Sequence, residues 1–429
     1  MLGSAAQNVI ALSDAFLLFH RGEVEFAAIG FVGVFYITIA AIGYSFSRGG
    51  QIMIARRMGE GRPDKVGHTF HTMLLFEVLM AIVMFLFMRY GSAWFFKWFL
   101  DHSPAVYEQC LAYINYRSYG IFFSYAGVAL VSLYTGIARP MFILVDTIIL
   151  AIVNLVLNYG LIFGKFGLPE MGIGGSGLAS SIAEGIAFVI FVLYIILDKK
   201  NRSLKIFSLP EADWALTYQQ LRLSMPVVAQ AAVGQGSWVF FFGMVENLGE
   251  RPLAISNLVR TVYLLLSIPL WGFSAGANTM ISNLIGQNRH RDVLPATLKT
   301  GQLCFAFTLL LSIPVLVQPG VFLYPLLGKS DMSILTEAQP IFYVLIGLLS
   351  LSTFGAVAFN ALAGTGATWF GLKMQIACIA VYLGYVFYVT NYTQLSLAWV
   401  WMAEVFYWCL MLGLSVWYLR SYQWRRLTI

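Results

Sequence analysis

Charge is what this sequence has least of. Only 11% of its 429 residues are Asp, Glu, Lys or Arg, whereas a soluble globular chain carries about 25%. That deficit excludes a soluble fold. Cysteine is nearly as scarce, and Cys110, Cys304, Cys378 and Cys409 lie in or beside apolar stretches. They are spaced too far apart for a metal motif, and no disulfide framework is needed. The histidines, His20, His68, His71, His102 and His290, fall near the ends of apolar runs, and none pairs with Glu or Cys at a zinc spacing. The alternating ten-residue segments of a membrane β-barrel are missing. So is any nucleophile–base pair, and the glycines of GGQIM and GIGGSG follow no strand, which excludes a phosphate-cradling loop. The N-terminal stretch has no basic region and no cleavage site, so it does not read as a signal peptide.

What the sequence does have is hydrophobic length. Apolar residues make up 59% of the chain, in recurring runs of the roughly 20 residues a helix needs to cross a bilayer. The spans are predicted at 1–19, 26–50, 66–90, 108–134, 140–163, 173–197, 223–246, 253–284, 294–318, 336–363, 370–391 and 396–419. The expected class is an all-α polytopic membrane protein with twelve transmembrane helices. Its net charge of +6 is carried at helix ends, so it is no signal for nucleic acid. Sixteen lysines and arginines, including Arg56, Arg57, Arg139, Lys199, Lys200 and Arg425, fall in one set of joints, against six in the alternate set. The positive-inside rule then places the polar stretch 199–222 and the C-terminus in the cytoplasm of a plasma (inner) membrane protein.

The two halves of the chain repeat. At an offset of 227 residues, FSRGGQIMIARRMGEGRPDKV (46–66) lies over FSAGANTMISNLIGQNRHRDV (273–293), with eight identities in twenty-one ungapped positions. Each half holds six spans, so both keep the same orientation. This is a parallel repeat of the kind found in transporters that bind between their halves. It predicts an N-lobe over 1–198, a cytoplasmic linker over 199–222 and a C-lobe over 223–429. Pro226 and the polar segment before it have counterparts that would lie before Met1, so the first span is expected to lack its cytoplasmic end.

A few polar groups sit inside the spans, where a carboxylate costs about 2.5–3.5 kcal/mol at the helix centre. Asp14 is the first, on a small or polar face with Ser4, Gln7, Asn8 and Ala11; it is either a structural aspartate capped by a neighbouring helix or a functional one. Asp146, Asn154 and Asn158 share one face of the fifth span, and Ser176, Ser180 and Glu184 one face of the sixth. Mid-span amides commonly make interhelical hydrogen bonds worth about 0.6–2 kcal/mol; grouped with a carboxylate they make a better ion cage than either does alone. Glu184 is open to two readings, a second proton carrier or a partner for Arg117 or a tyrosine. Glu77 and Glu404 are further embedded acids, and a pairing such as Glu404 with Arg260 would neutralise both charges. Tyr36, Tyr119, Trp238 and Gln235 are candidates for a substrate cavity, since aromatic faces favour organic cations.

Three stretches resemble the multidrug and toxic compound extrusion (MATE) family, in its DinF-like branch. They are LSDAFLLFHRGEVEFAAIG, GGQIMIARRMGEG and NLVLNYGLIFGKFGLPEMGIGGSGLASSIAE. The resemblance implies a V-shaped pair of six-helix lobes that export small molecules in exchange for H⁺ or Na⁺. Asp14 then matches the family's aspartate in helix 1, and Asn154 its asparagine in helix 5. Ser180 stands where a threonine is usual, and Ser176 would offer a backbone carbonyl. Together they imply an oxygen-rich site able to hold a proton, or Na⁺ at Asp14, Asn154 and Ser180. Two departures matter. Asn158 replaces a second aspartate found in many relatives, and Gly234 and Gln235 stand where some relatives carry a glutamate. The expectation is a secondary active antiporter exporting amphipathic, cationic small molecules as a monomer in the bilayer. It is not an enzyme and has no cofactor beyond the coupling ion. The alternatives are a lipid-linked oligosaccharide flippase of the wider superfamily and, more remotely, a membrane enzyme or receptor.

Overall fold

A computed structural model describes residue 10 and residues 13–208, 213–317 and 333–427. Gln7, with Ser4, Asn8 and Ala11, lies outside the described residues. Among these residues ten helices are long and apolar enough to cross a membrane, and one bent pair adds an eleventh span. Residues 13–19 (α1) are the described helical part of the first expected span. The chain divides into two compact units, Leu2–Ser224 and Met225–Ile429.

The first unit holds α1, α2 (Glu23–Gly59), α3 (Val66–Leu86), α4 (Ser92–Leu100), α5 (Pro104–Gly136), α6 (Met141–Phe163) and α7 (Gly172–Leu197). Several helix ends have a local reason. Glu23 and Glu25 open α2 and Arg56 and Arg57 close it, matching the helix dipole at both ends. Pro104 starts α5, at the position where a missing N–H costs nothing. Gly164 ends α6 in the left-handed region with φ 65°, which glycine enters without penalty. The expected third span runs on past residue 90. A π-helical turn over Phe87–Gly91 carries α3 into α4, the wider turn that absorbs one extra residue in a helix.

Helix α5 packs on α2, α3 and α7, and α7 also packs on α6. Two glycines permit this. A Cβ on Gly177 would sit 2.5 Å from the Tyr113 carbonyl oxygen of α5, and one on Gly175 would sit 2.6 Å from the Leu161 carbonyl oxygen of α6. The GIGGSG stretch is therefore a backbone contact surface, which aims the next turn of α7 at both neighbours. Gly177→Ala is expected to push α7 off α5 and cost about 1–3 kcal/mol, read as a lowered denaturation midpoint in detergent.

The described parts of the polar stretch after α7 are docked on the first unit. A 3₁₀ turn over Lys199–Leu204 leads to Leu204 and Ile206, which are buried with Val66, Phe70 and Leu133. Asn201 donates to the Tyr134 hydroxyl at 2.7 Å. Helix α8 (Trp214–Glu246) is capped by Asp213, whose Oδ1 accepts from the Leu216 N–H at 2.9 Å. That bond holds the exposed Asp213 carboxyl below its ordinary range. The start of α8 then docks on α2, where Ser224 Oγ donates to the Phe46 carbonyl at 2.7 Å.

The second unit holds the remainder of α8 with α9 (Glu250–Leu266), α10 (Ile268–Gly286), α11 (Val293–Val317), α12 (Ser333–Gly364), α13 (Thr368–Tyr392) and α14 (Leu397–Ser421). The repeat seen in the sequence recurs in the element boundaries. Helix starts at Glu23 and Glu250, helix ends at Gly59 and Gly286, 3₁₀ turns at Pro63 and His290, and new helices at Val66 and Val293 are each 227 residues apart. One element breaks the symmetry. The single span expected over 253–284 is two helices bent by 47° between Leu266 and Ile268, whereas α2 is continuous. Pro269, in the first turn of α10, stands at the repeat position of Ile42; it has no N–H to give and its ring crowds the preceding turn.

Candidate functional site

Asp14 is fully buried, and three donors converge on its carboxylate. Asn158 Nδ2 donates to Oδ1 at 2.7 Å. The Tyr113 hydroxyl donates to Oδ2 at 3.1 Å. Ser180 Oγ lies 3.3 Å from Oδ1 and 3.2 Å from Oδ2. An ionised carboxylate is a pure acceptor, and this shell of donors matches that form.

A second layer fixes the first. Asn158 Nδ2 also reaches Asn154 Oδ1 at 3.1 Å, and Asn154 Nδ2 donates to Ser180 Oγ at 2.9 Å. The family resemblance singled out Asn154 and Ser180 as partners of Asp14. The structure makes Asn158 and Ser180 the direct contacts and Asn154 the residue that orients them. Asn158, set beside Asn154 in the sequence as an amide of the cage, makes the shortest contact to the carboxylate. Ser176 is buried beside Asp14 without a hydrogen bond of good geometry, and Asn158 Oδ1 is also unpartnered.

Tyr113 was missed. Its signal was there, because Tyr113 and Arg117 stand four apart on α5 just as Ser180 and Glu184 do on α7, so two rungs cross between the same helices. In the second rung, Arg117 Nη1 and Nη2 donate to Glu184 Oε2 and Oε1 at 2.6 and 2.7 Å. Of its two readings, Glu184 is thus placed as the partner of Arg117. The guanidinium also stacks 3.8 Å from the centroid of the Tyr36 ring. A Cβ on Gly120 would lie 2.3 Å from Arg117 Nη1, so the pair needs that glycine. Asp14, Tyr36, Tyr113 and Arg117 line one narrow cavity of about 40 Å³, with Ile10, Ile29, Gly33 and Ile37 as its apolar wall. That is room for a water or an ion, not for an organic molecule. Tyr113→Phe would remove one donor to a buried carboxylate and is expected to cost about 1.5–3 kcal/mol, measured by thermal denaturation.

The other candidates lie elsewhere. Asp146 precedes Asn154 by two turns, about 12 Å along α6, and its buried Oδ1 has no hydrogen-bond partner. Tyr119 is half exposed, against Phe85. Gln235 is exposed on α8, and Trp238 packs among Phe242, Tyr263 and Trp401. Glu77 is fully buried, and Ser47 Oγ donates to it at 2.6 Å. The expected Glu404–Arg260 pairing does not form. Arg260 is exposed and lies over the Trp238 and Phe242 rings, while Glu404 is buried beside Tyr263, Tyr382 and Tyr407. The repeat puts Phe241 at the position of Asp14, so the carboxylate of the cage has no counterpart there. Phe241 is wholly buried against Trp401.

The family model named MatE matches residues 1–160 and 226–390. The chain belongs to the MatE family. This is a family of membrane transporters, not enzymes. Among curated relatives, a probable multidrug resistance protein NorM from Synechocystis sp. is 24% identical over 316 residues, covering 73% of this chain and 68% of that one. The NorM relative from Agrobacterium fabrum is 23% identical over 298 residues, 68% of this chain and 63% of its own length. These matches thus span about two thirds of each relative. A solved structure, the outward-facing conformation of a multidrug resistance MATE family transporter, superposes with a TM-score of 0.87 at 17% identity, over 98% of this chain and 93% of that one. At that identity the likeness is one of fold. The MatE assignment agrees with the resemblance carried by helices 1–2 and 5–6.

Proposed function

We propose that this MatE protein is an efflux antiporter in which Asp14 exchanges a proton for an exported, amphipathic organic cation. One observation carries the reading. Asp14 is a fully buried carboxylate whose hydrogen-bond partners are all neutral donors, Tyr113, Asn158 and Ser180. Its charge can be removed by one proton, and adding or removing that proton changes the hydrogen bonds that tie α1 to α5, α6 and α7. A ligand can shift a two-state equilibrium only through such a difference in interaction. The multidrug resistance names of the NorM relatives support drugs as the substrate class. On the positive-inside rule the linker and the C-terminus face the cytoplasm.

Sodium is the competing coupling ion, and Asn158 Oδ1 and Ser176 Oγ are the oxygens it would recruit. The test is efflux of a cationic dye by purified protein in liposomes, with pH and Na⁺ gradients imposed separately. The proposal requires that the pH gradient alone drives dye movement. Efflux driven only by Na⁺ would reassign the ion, and translocation of a lipid-linked sugar without either gradient would revive the flippase alternative.

A further inference from the structure

We propose that the Arg117–Glu184 pair determines which cation the Asp14 cage accepts, by presenting its positive end to the cage and opposing the entry of a metal ion. The inference rests on the reading of Asp14 as the coupling carboxylate and adds a residue that acts on it without touching it.

The geometry is asymmetric. Arg117 and Glu184 are both buried and joined by two hydrogen bonds, so the pair as a whole is neutral. Yet Arg117, and not Glu184, lines the cavity shared with Asp14. The pair is locked in that orientation. Tyr36 covers one face of the guanidinium, and the bidentate fork fixes its plane as a lysine could not. Tyr113 and Arg117 are neighbours on α5, as are Ser180 and Glu184 on α7, so the charge is held one helical turn from the donors to the carboxylate.

The groups facing Asp14 can be named element by element. Helix α5 contributes the Tyr113 hydroxyl and the Arg117 guanidinium, and α2 contributes Tyr36. Helix α6 contributes only the amides of Asn154 and Asn158, and α7 contributes Ser176, Ser180 and, behind Arg117, Glu184. Arg117 is the one full positive charge in that set. In a dry site the repulsion between fixed charges is weakly screened. A sodium ion would need several oxygen ligands, yet the nearest groups point hydrogens at the carboxylate. It would also bring a whole charge against the guanidinium. A proton needs one oxygen and spreads its charge into the carboxyl group. The pair thus penalises the metal ion far more than the proton.

Liposome efflux with wild type, Arg117→Gln/Glu184→Gln, Arg117→Lys and Glu184→Gln tests this. The double variant keeps a hydrogen-bonded amide pair and removes both charges. Its pH profile of efflux is expected to move to higher pH by about one unit, a tenfold change in proton affinity, and a Na⁺ gradient should now accelerate efflux where it does not in wild type. Glu184→Gln leaves the guanidinium uncompensated and should move the profile to lower pH. Arg117→Lys keeps the charge and should continue to exclude Na⁺. Superimposable pH profiles for wild type, the double variant and Glu184→Gln would overturn the proposal, as would wild-type efflux that Na⁺ drives as well as it drives that of the double variant. If the double variant does not fold, the direction of the Glu184→Gln shift decides. Asp14→Asn, run alongside, separates the two readings. Coupling that survives it removes the premise, whereas coupling lost in Asp14→Asn with unmoved profiles in the pair variants refutes the selectivity role alone.

Discussion

Asp14→Asn is expected to abolish the response of dye efflux to a pH gradient, by about 5–150-fold, the span of a typical coupling free energy of 1–3 kcal/mol. The substitution keeps the size of the side chain and one acceptor oxygen but cannot take up a proton. Its amide nitrogen also faces donors where the carboxylate offered acceptors, so at least one of the contacts from Tyr113, Asn158 and Ser180 is lost. The protein should still fold, because replacing the ionised group relieves the cost of a charge at membrane depth. The measurement is initial efflux rate against imposed pH gradient, with retained monodispersity as the control for folding. A variant that follows the gradient as wild type does would remove Asp14 from the coupling step.

The second large effect is on stability. Arg117→Met should destabilise the protein by about 3–5 kcal/mol, because it leaves the Glu184 carboxylate buried without its partner. Both side chains are almost inaccessible, at 0% and 4% exposure, so solvent cannot compensate. Arg117→Met/Glu184→Met should recover most of that loss, since well-packed apolar groups of similar volume replace a buried ion pair at little net cost. Loss of the stack on Tyr36, worth about 2 kcal/mol when desolvated, sets the part that is not recovered. A double-mutant cycle by denaturation in detergent measures the coupling. If the two single losses simply add, the pair is not a unit, and the view of it as one locked dipole fails with it.

How much of this was legible beforehand depends on the kind of signal. Hydropathy decided the membrane class and most span positions, because a bilayer forces backbone hydrogen bonds to be made within each helix. The 227-residue repeat recurred in the helix boundaries because capping and breaking residues act locally. Local signals also went unread. Pro269 marked a bend inside a span drawn as one, and Phe87–Gly91 carried the third helix beyond its expected end. The site was half legible. Asp14 was conspicuous because a charge in an apolar run has few explanations, and Asn158 and Ser180 stood out by their spacing. Tyr113 was not, since tyrosine is common in this chain and its spacing from Arg117 gains meaning only once α5 is known to face α7.

Sequence alone therefore determined an all-helical, two-fold repeated membrane protein with a costly carboxylate in its first helix, since these follow from composition, period and solvent. Only the tertiary structure decided that Asn158 touches that carboxylate while Asn154 orients the cage. It alone decided that Arg117 pairs with Glu184 and not with another acid, and that Glu404 and Arg260 stay apart. Each of those outcomes turns on the rotation and close approach of helices distant in sequence. Glycines 120, 175 and 177 permit that approach, but no local preference encodes which faces then meet.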